Sequence, residues 1–434
     1  MPQSTHDVIV LGAGIAGLTA ARQLVTAGLR VHVLEARSRV GGRILTHKVG
    51  NEAIELGAEF IHGKPPILWN LIEEANLETC ELGGKHFCWQ HDVLQECGDD
   101  FGRDFQWLEA LKDWDREDCS FAEYLDIAHV PQDSRKRLIG FVEGFNAADY
   151  RVIGIAALAK QQAIEDATEG DRMFHVRGGY AQVPEFLARQ IDRRGGKISM
   201  ETLATAIRWK QGSVEVDCLR NGKTETYRPA AVVIALPLGV LQSGALKISP
   251  SPEQAMLLMS QIRVGHARRM VMLFHRKFWT DTTARTNLRD LDALSFLHSF
   301  NELFPVWWSG FPEDSSTLVT WTGGPRADAM AGRSHQDLEI EALRELAKIF
   351  AIDVSRLRDL LVQSESHDWQ KDPLAQGSYS YLPAGALHVP EALSQPIEST
   401  VFFAGEHTDT TGNWGTVHGA MESGQRAAHQ ILHR

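Results

Sequence analysis

The run Asp7-Val8-Ile9-Val10-Leu11 is short, apolar and rich in β-branched residues, and it leads directly into Gly12-Ala13-Gly14-Ile15-Ala16-Gly17. The apolar residues of the following LTAARQLVTAG recur at helical spacing, so the predicted order is strand, glycine turn, helix. Gly28 suits the position just past the helix end, and the alternation in RVHVLEA predicts a second strand that reaches Glu35. Each part of the turn has a physical task. Gly12 permits the tight turn, Gly14 lets the backbone approach a pyrophosphate, and Gly17 lets the helix pack closely on the strand. The diphosphate then meets the unpaired N–H groups and positive dipole end of the helix at Ile15 and Ala16. Glu35 stands where a carboxylate accepts hydrogen bonds from a ribose hydroxyl and repels a 2′-phosphate, which argues against NADP. The N-terminal segment is therefore read as a dinucleotide-binding unit.

The next segment, Glu35-Ala36-Arg37-Ser38-Arg39-Val40-Gly41-Gly42-Arg43, lets the chain fold back toward the same ligand, and Arg43 offers a fork suited to phosphate oxygens. NAD enzymes do not usually need this second basic, glycine-containing segment. The 434 residues are enough for two to four domains, or for two large ones assembled from several segments. The net charge of -12 disfavours unspecific contact with nucleic acid or anionic lipid and favours a cationic ligand. Five cysteines without a C-x-x-C pair indicate neither a disulfide framework nor a zinc ribbon, so a reducing, cytoplasmic compartment is expected. No HExxH or GxSxG occurs, so neither a metal site nor a hydrolase elbow is expected. The longest apolar run, Ala230 to Leu236, has the length of a strand, and no secretory leader is legible at MPQSTHD.

Together with Glu55-Leu56-Gly57-Ala58-Glu59-Phe60-Ile61-His62-Gly63, these motifs resemble the flavin-containing amine oxidases. That family includes monoamine, polyamine and L-amino-acid oxidases and the lysine-specific histone demethylases. The similarity continues through Phe174-His175-Val176-Arg177-Gly178-Gly179, Val232 to Leu241 with its PLGVL turn, Gly377-Ser378-Tyr379-Ser380, Val401 to Thr408, and Gly415-Thr416-Val417-His418-Gly419-Ala420. The resemblance implies an α/β chain, α+β overall. A Rossmann-like FAD-binding domain (1–79, 172–258 and 377–434) would be interlocked with a mixed-sheet-plus-helices substrate domain (80–171 and 259–376). It also implies FAD contacts from Gly12, Gly14, Ile15, Ala16, Gly17, Glu35, Ala36, Arg37, Gly42, Arg43, Gly57, Ala58, Glu59, Phe60, Ala204, Trp369, Gly405, Glu406, Gly415, Thr416 and Val417. The helix opened by GTVHGA has small residues where a bulky planar ligand would need close backbone approach, and its N-terminus would stabilise negative charge on reduced flavin.

By resemblance the amine passes between Tyr379 and Thr416, and a threonine at the second position looks more like the polyamine oxidase and demethylase branches. His62 falls where polyamine oxidases position a distal amine. Ser378 stands where monoamine oxidases carry the cysteine bonded to flavin, which implies noncovalent FAD. The family's lysine that holds a water beside the flavin falls on Arg269, and an arginine does not shuttle protons in the same way. Glu143 is a candidate partner for a cationic substrate, and His418 is read as part of the helix start. The expected function is hydride transfer from a CH–NH group of a polyamine or other primary or secondary amine, followed by imine hydrolysis and reoxidation by oxygen. Alternatives are an L-amino-acid oxidase, a dehydrogenase with poor oxygen reactivity, and a noncatalytic flavin-binding interaction protein. The expected partner is a small-molecule amine, without nucleic acid or membrane.

Overall fold

A parallel strand buried on both faces needs an almost continuous apolar run, and Val8–Leu11 and Ala231–Ile234 have one: all eight residues are inaccessible to solvent. In the computed structural model, which describes residues 6–50, 52–281, 291–300 and 302–434, these strands lie side by side in a five-stranded parallel sheet. Its order is Lys197–Ser199, Val31–Leu34, Val8–Leu11, Ala231–Ile234 and Val401–Phe403. Helices Ile15–Thr26, Gln182–Arg193 and Val417–Leu432 cover one face through Leu18, Leu187, Ile191, Ala427 and Ile431. On the other face Ile9, Leu11, Val232 and Ile234 pack against Ile207, Val214 and Val216 of a four-stranded sheet.

Contact between backbones sets the geometry at the C-terminal edge of the parallel sheet. A Cβ on Gly17 would stand 2.1 Å from the Gly12 carbonyl oxygen, and one on Gly424 would stand 2.2 Å from that of Ala16. Gly12 itself needs a left-handed φ of +96°. A Cβ on Gly14, by contrast, would meet no atom of the described residues within 4 Å. The small residues after GTVHGA divide in the same way. Gly415 stands beside the Tyr379 ring, whereas Gly419 presses on the Asn413 carbonyl and Gly424 on the first helix. Gly419 and Gly424 thus serve helix packing.

A seven-stranded mixed sheet forms the second layer, in the order Leu361–Glu365, Ala267–Phe274, Thr317–Gly323, Val306–Ser309, Leu294–His298, Lys85–Gln90 and Val93–Glu96. Period-2 alternation divides its residues. Met270, Met272, Leu297, Trp307 and Leu318 face the amphipathic helix His335–Phe350, while Val271, Phe296, Trp308 and Val319 face Ile54 and Leu56 in and just after the strand Glu52–Glu55, which pairs with Thr46–Val49 in a separate two-stranded sheet. Helices Phe121–Ile127, Gln132–Asn146 and Ile155–Ala167 form a third cluster around Phe121, Tyr124 and Leu138, and Ser120 and Glu123 close a capping box at its first helix.

One expectation is corrected. Cys88 and Cys97 form a disulfide across the hairpin Lys85–Gln90/Val93–Glu96, leaving Cys80, Cys119 and Cys218 as free thiols. An odd cysteine count does not reveal such a pair, because the two residues become neighbours only once the hairpin forms.

Gly17→Ala should lower stability by about 1–3 kcal/mol, as overpacking against rigid backbone does. Gly14→Ala should stay within about 0.5 kcal/mol of the parent in flavin-free protein. Urea denaturation of both variants measures this, and equal effects would contradict the division of roles.

Candidate active site

Between the two sheet layers runs a cavity of about 1210 Å³. Its wall includes nearly all the residues singled out above: Gly12, Gly14, Ile15, Ala16, Glu35, Ala36, Arg37, Gly42, Arg43, Gly57, Ala58, Glu59, Phe60, His62, Ala204, Arg269, Trp369, Tyr379, Gly405, Glu406, Gly415, Thr416 and Val417. Gly17 is not in the wall, because it faces the Gly12 backbone. Glu143 is not in the wall either and does not face a ligand there.

At one end, the Glu35 carboxylate accepts the N–H groups of Ala13 (2.7 Å) and Arg37 (2.8 Å), so the acid fixes the glycine turn from the end of the second strand. The second glycine segment returns to the first through Gly41 N–H to the Ala13 carbonyl, 2.8 Å. Arg37 is held by Asp372 at 2.9 Å. Arg43 donates to the Ser378 carbonyl at 2.7 Å and to Glu406 at 3.0 Å. Glu406 also accepts from the Ser380 hydroxyl (2.5 Å) and the Gly415 N–H (3.1 Å). Burial alone would raise the Glu406 pKa, but the Arg43 and His407 charges and the hydrogen bonds from Ser380 and Arg43 outweigh it and hold the carboxyl below its ordinary range.

The middle of the cavity carries the departure noted at Arg269. Its guanidinium donates to Glu59 and, at 3.1 Å, to the Gly57 carbonyl, and it lies over the Trp308 ring at 5.3 Å. Glu59 in turn takes the Trp308 indole N–H at 3.1 Å and stands 3.2 Å from the His175 imidazole. The side chains of Arg269 and Glu59 keep 7% and 10% of their surface exposed, so the pair is buried and closed. The buried Arg269 Nε–H has no acceptor among the described residues.

Tyr379 donates its hydroxyl to the Phe145 carbonyl at 2.7 Å, which fixes the ring in the wall. The Thr416 hydroxyl caps the helix Val417–Leu432 by accepting the Gly419 N–H at 3.0 Å, and it donates to the Asn413 carbonyl at 2.8 Å. Ser378 uses its hydroxyl to accept the Ala267 N–H at 3.0 Å. His62 packs edge-on against Phe60 and Phe145, with ring centroids 6.0 and 5.3 Å away. Burial pushes its pKa down to about 4, and burial followed by the nearby His62 takes His418 to about 3, so both are neutral near pH 7.

Sequence reasoning did not find the aromatic arm formed by His86, Phe296, His298 and Phe300, in which His86 and His298 stack at 5.6 Å. A signal existed: in LSFLHSF, Phe296, His298 and Phe300 alternate with Leu297 and Ser299, which places them on one face of a strand. Burial, and for His298 also its neighbour His86, keeps both histidines neutral near pH 7.

The site accommodates a flavin dinucleotide on structural grounds. Space for a pyrophosphate opens at Gly14, where a Cβ would meet no described atom within 4 Å, and Arg269 presents a buried donor without an acceptor among the described residues. The sequence matches the family described as flavin containing amine oxidoreductase over residues 15–126 and 115–432. Polyamine oxidase 2 of Arabidopsis thaliana is 30% identical over 99% of this chain and 88% of its own length. Human flavin-containing amine oxidase B is 25% identical, covering 98% and 86%. Lysine-specific histone demethylase 1 homolog 2 of A. thaliana is 28% identical over 98% of this chain, which spans only 58% of that protein.

The chain belongs to the flavin-containing amine oxidoreductases. Its fold is shared with a putrescine oxidase solved with putrescine bound (TM-score 0.83, 20% identity, 99% of both chains). It is also shared with cyclohexylamine oxidase from Brevibacterium oxydans (TM-score 0.81, 22% identity, 99% and 100%). Like the rest of this family, the protein uses FAD as its cofactor.

The neutral His62 gives a pH test. An unfolded histidine takes up a proton near pH 6.5, and the folded one does so only near pH 4. Between these values the unfolded state binds more protons, so this residue removes stability as pH falls. Relative to the parent, His62→Leu should gain about 2 kcal/mol between pH 7 and pH 5. Denaturant titrations at both pH values measure the difference, and a constant offset would refute a neutral buried His62.

Proposed function

We propose that the protein oxidises primary or secondary amines, polyamines among them, in the chamber between Tyr379, Thr416, Phe60 and His62. The observation that carries this reading is the electrically neutral, aromatic wall of that chamber next to an FAD-shaped cavity: a neutral amine is the form that gives up hydride, and such a wall favours it. Bound FAD supplies the two-electron acceptor that amine oxidation requires. In this reading Gly12, Gly14, Ile15 and Ala16 hold the pyrophosphate with Arg43, and Glu35 holds a ribose. Tyr379 and Thr416 orient the amine, and Phe60 and the closed Arg269–Glu59 pair exclude water. The FAD domain comprises residues 1–79, 172–258 and 377–434, and the substrate domain residues 80–171 and 259–376.

The flavin is held noncovalently, since Ser378 offers a hydroxyl already committed to Ala267. Acid precipitation should leave all flavin in the supernatant, and yellow protein in the pellet would refute this.

An L-amino acid fits less well. It needs a cation to clamp its carboxylate, and the described arginines of the wall are all paired: Arg37 with Asp372, Arg43 with Glu406, Arg137 with Asp104 and Arg269 with Glu59.

Oxygen is the first acceptor considered, with hydrogen peroxide as the product. The fixed Arg269–Glu59 pair favours a second reading, slow reaction with oxygen and transfer to another acceptor, because Arg269 is held by Glu59 and the Gly57 carbonyl and is not free to move. Stopped-flow mixing of reduced enzyme with air-saturated buffer separates the two. Reoxidation well above the rate for free flavin supports the oxidase, and a rate no faster supports the dehydrogenase.

A further inference from the structure

The connection between the strands Leu294–His298 and Val306–Ser309 carries Phe300 and Pro305 into the cavity wall. The Phe300 ring stacks on His298 with centroids 5.8 Å apart, and a Cβ on Gly140 of the helix Gln132–Asn146 would stand 3.9 Å from it. The ring thus bridges the seven-stranded sheet and that helix, at the far side of the aromatic arm. A connecting segment has no ladder to hold its backbone, so its buried N–H and C=O groups need partners from elsewhere.

Two side chains of opposite kind supply them. Arg326, in the short helix Pro325–Asp328, donates through one nitrogen to the carbonyls of Phe300 (3.1 Å) and Glu302 (2.8 Å). Glu345, in the helix His335–Phe350, is buried and accepts the Leu303 N–H at 2.7 Å and the Phe304 N–H at 3.2 Å. An acid on the buried face of an amphipathic helix is otherwise out of place, and these two N–H groups account for it. Burial pushes its pKa up to about 8 against the pull of the same N–H groups, so near pH 7 the neutral acid is present and its carbonyl oxygen still accepts. The Thr322 hydroxyl adds a bond to the Leu303 carbonyl at 3.0 Å, and Lys348 holds the Glu302 carboxylate at 2.8 Å. Neither Arg326 nor Glu345 lines the cavity.

We infer that Arg326 and Glu345 are positioning residues for the substrate: by bracketing this backbone, carbonyls on one side and N–H groups on the other, they fix the Phe300 ring against which the apolar tail of an amine packs. The inference rests on the amine-oxidation reading above and adds to it a determinant of chain-length preference. A tail gains by burial against a ring that is already fixed, whereas a ring free to move gives back part of that gain when it is ordered.

The test follows KM and the limiting rate of anaerobic flavin reduction for n-alkylamines of three to ten carbons. In the parent, KM should fall as the chain lengthens toward the arm. Phe300→Ala removes the ring, and Arg326→Met and Glu345→Ala each remove one side of the bracket. Each should shrink the total fall in KM by about 3- to 10-fold, the size of one ordinary hydrogen bond, with the limiting reduction rate unchanged in the two bracket variants. Glu345→Gln keeps a carbonyl acceptor and should keep the parent's chain-length dependence. Arg326→Lys, which keeps a cation without the planar fork, should give a smaller loss and takes the place of a bracket variant that does not fold. Parent-like chain-length dependence in Phe300→Ala or in the bracket variants would overturn the inference, as would KM values that shift by one common factor at every length. A parent indifferent to chain length, or one that accepts other amines but none of this series, would overturn it too. Absence of flavin reduction in the parent by any amine would instead overturn the amine-oxidation reading beneath it.

Discussion

Backbone crowding at the C-terminal edge of the parallel sheet is the constraint on which the rest of the molecule depends. The first helix lies against the turn before it because Gly17 has no side chain, and the last helix lies against the first because Gly424 has none. These two contacts bring residues more than four hundred positions apart into one layer. They also leave the mouth of the turn at Gly14 open. A ligand cradle made of backbone is rigid, since its N–H groups are placed by packing and require no side chain to find a rotamer.

The second layer is joined to this cradle through a buried charge pair. Strand alternation turns Arg269 away from the Met270 and Met272 core and toward Glu59, which follows the strand Glu52–Glu55. A buried ion pair is worth little against an apolar substitute, yet removal of one partner alone typically costs about 3–5 kcal/mol. The network of Arg269, Glu59, Trp308 and His175 therefore acts as a structural joint. Arg269 is thereby a fixed cation in the middle of the cavity, and this bears on which electron acceptor is proposed for the flavin.

Much of the FAD-type layer was legible because its elements are encoded locally. The turn at Gly12 to Gly17, the acid at Glu35 and the helix start at Thr416 each depend on residues within a few positions of one another. The cavity wall beyond them was less legible. Phe296 and His298 belong to a strand whose alternation is readable, but which face turns inward depends on pairing with Lys85–Gln90, far away in sequence. The Cys88–Cys97 bridge was invisible for the same reason. The packing roles of Gly419 and Gly424 were not legible either, since a glycine's reason depends on what lies opposite it.

The central claim is that the neutral chamber beside the glycine turn delivers amines for two-electron oxidation. Anaerobic mixing of the flavin-loaded protein with an amine panel, followed at the oxidised flavin absorbance band, tests it most directly. Complete bleaching by one or more amines, with one aldehyde or ketone formed per flavin and no bleaching by L-amino acids, is the predicted result. A flavin that keeps its absorbance with every amine, or bleaches only with L-amino acids, would contradict it.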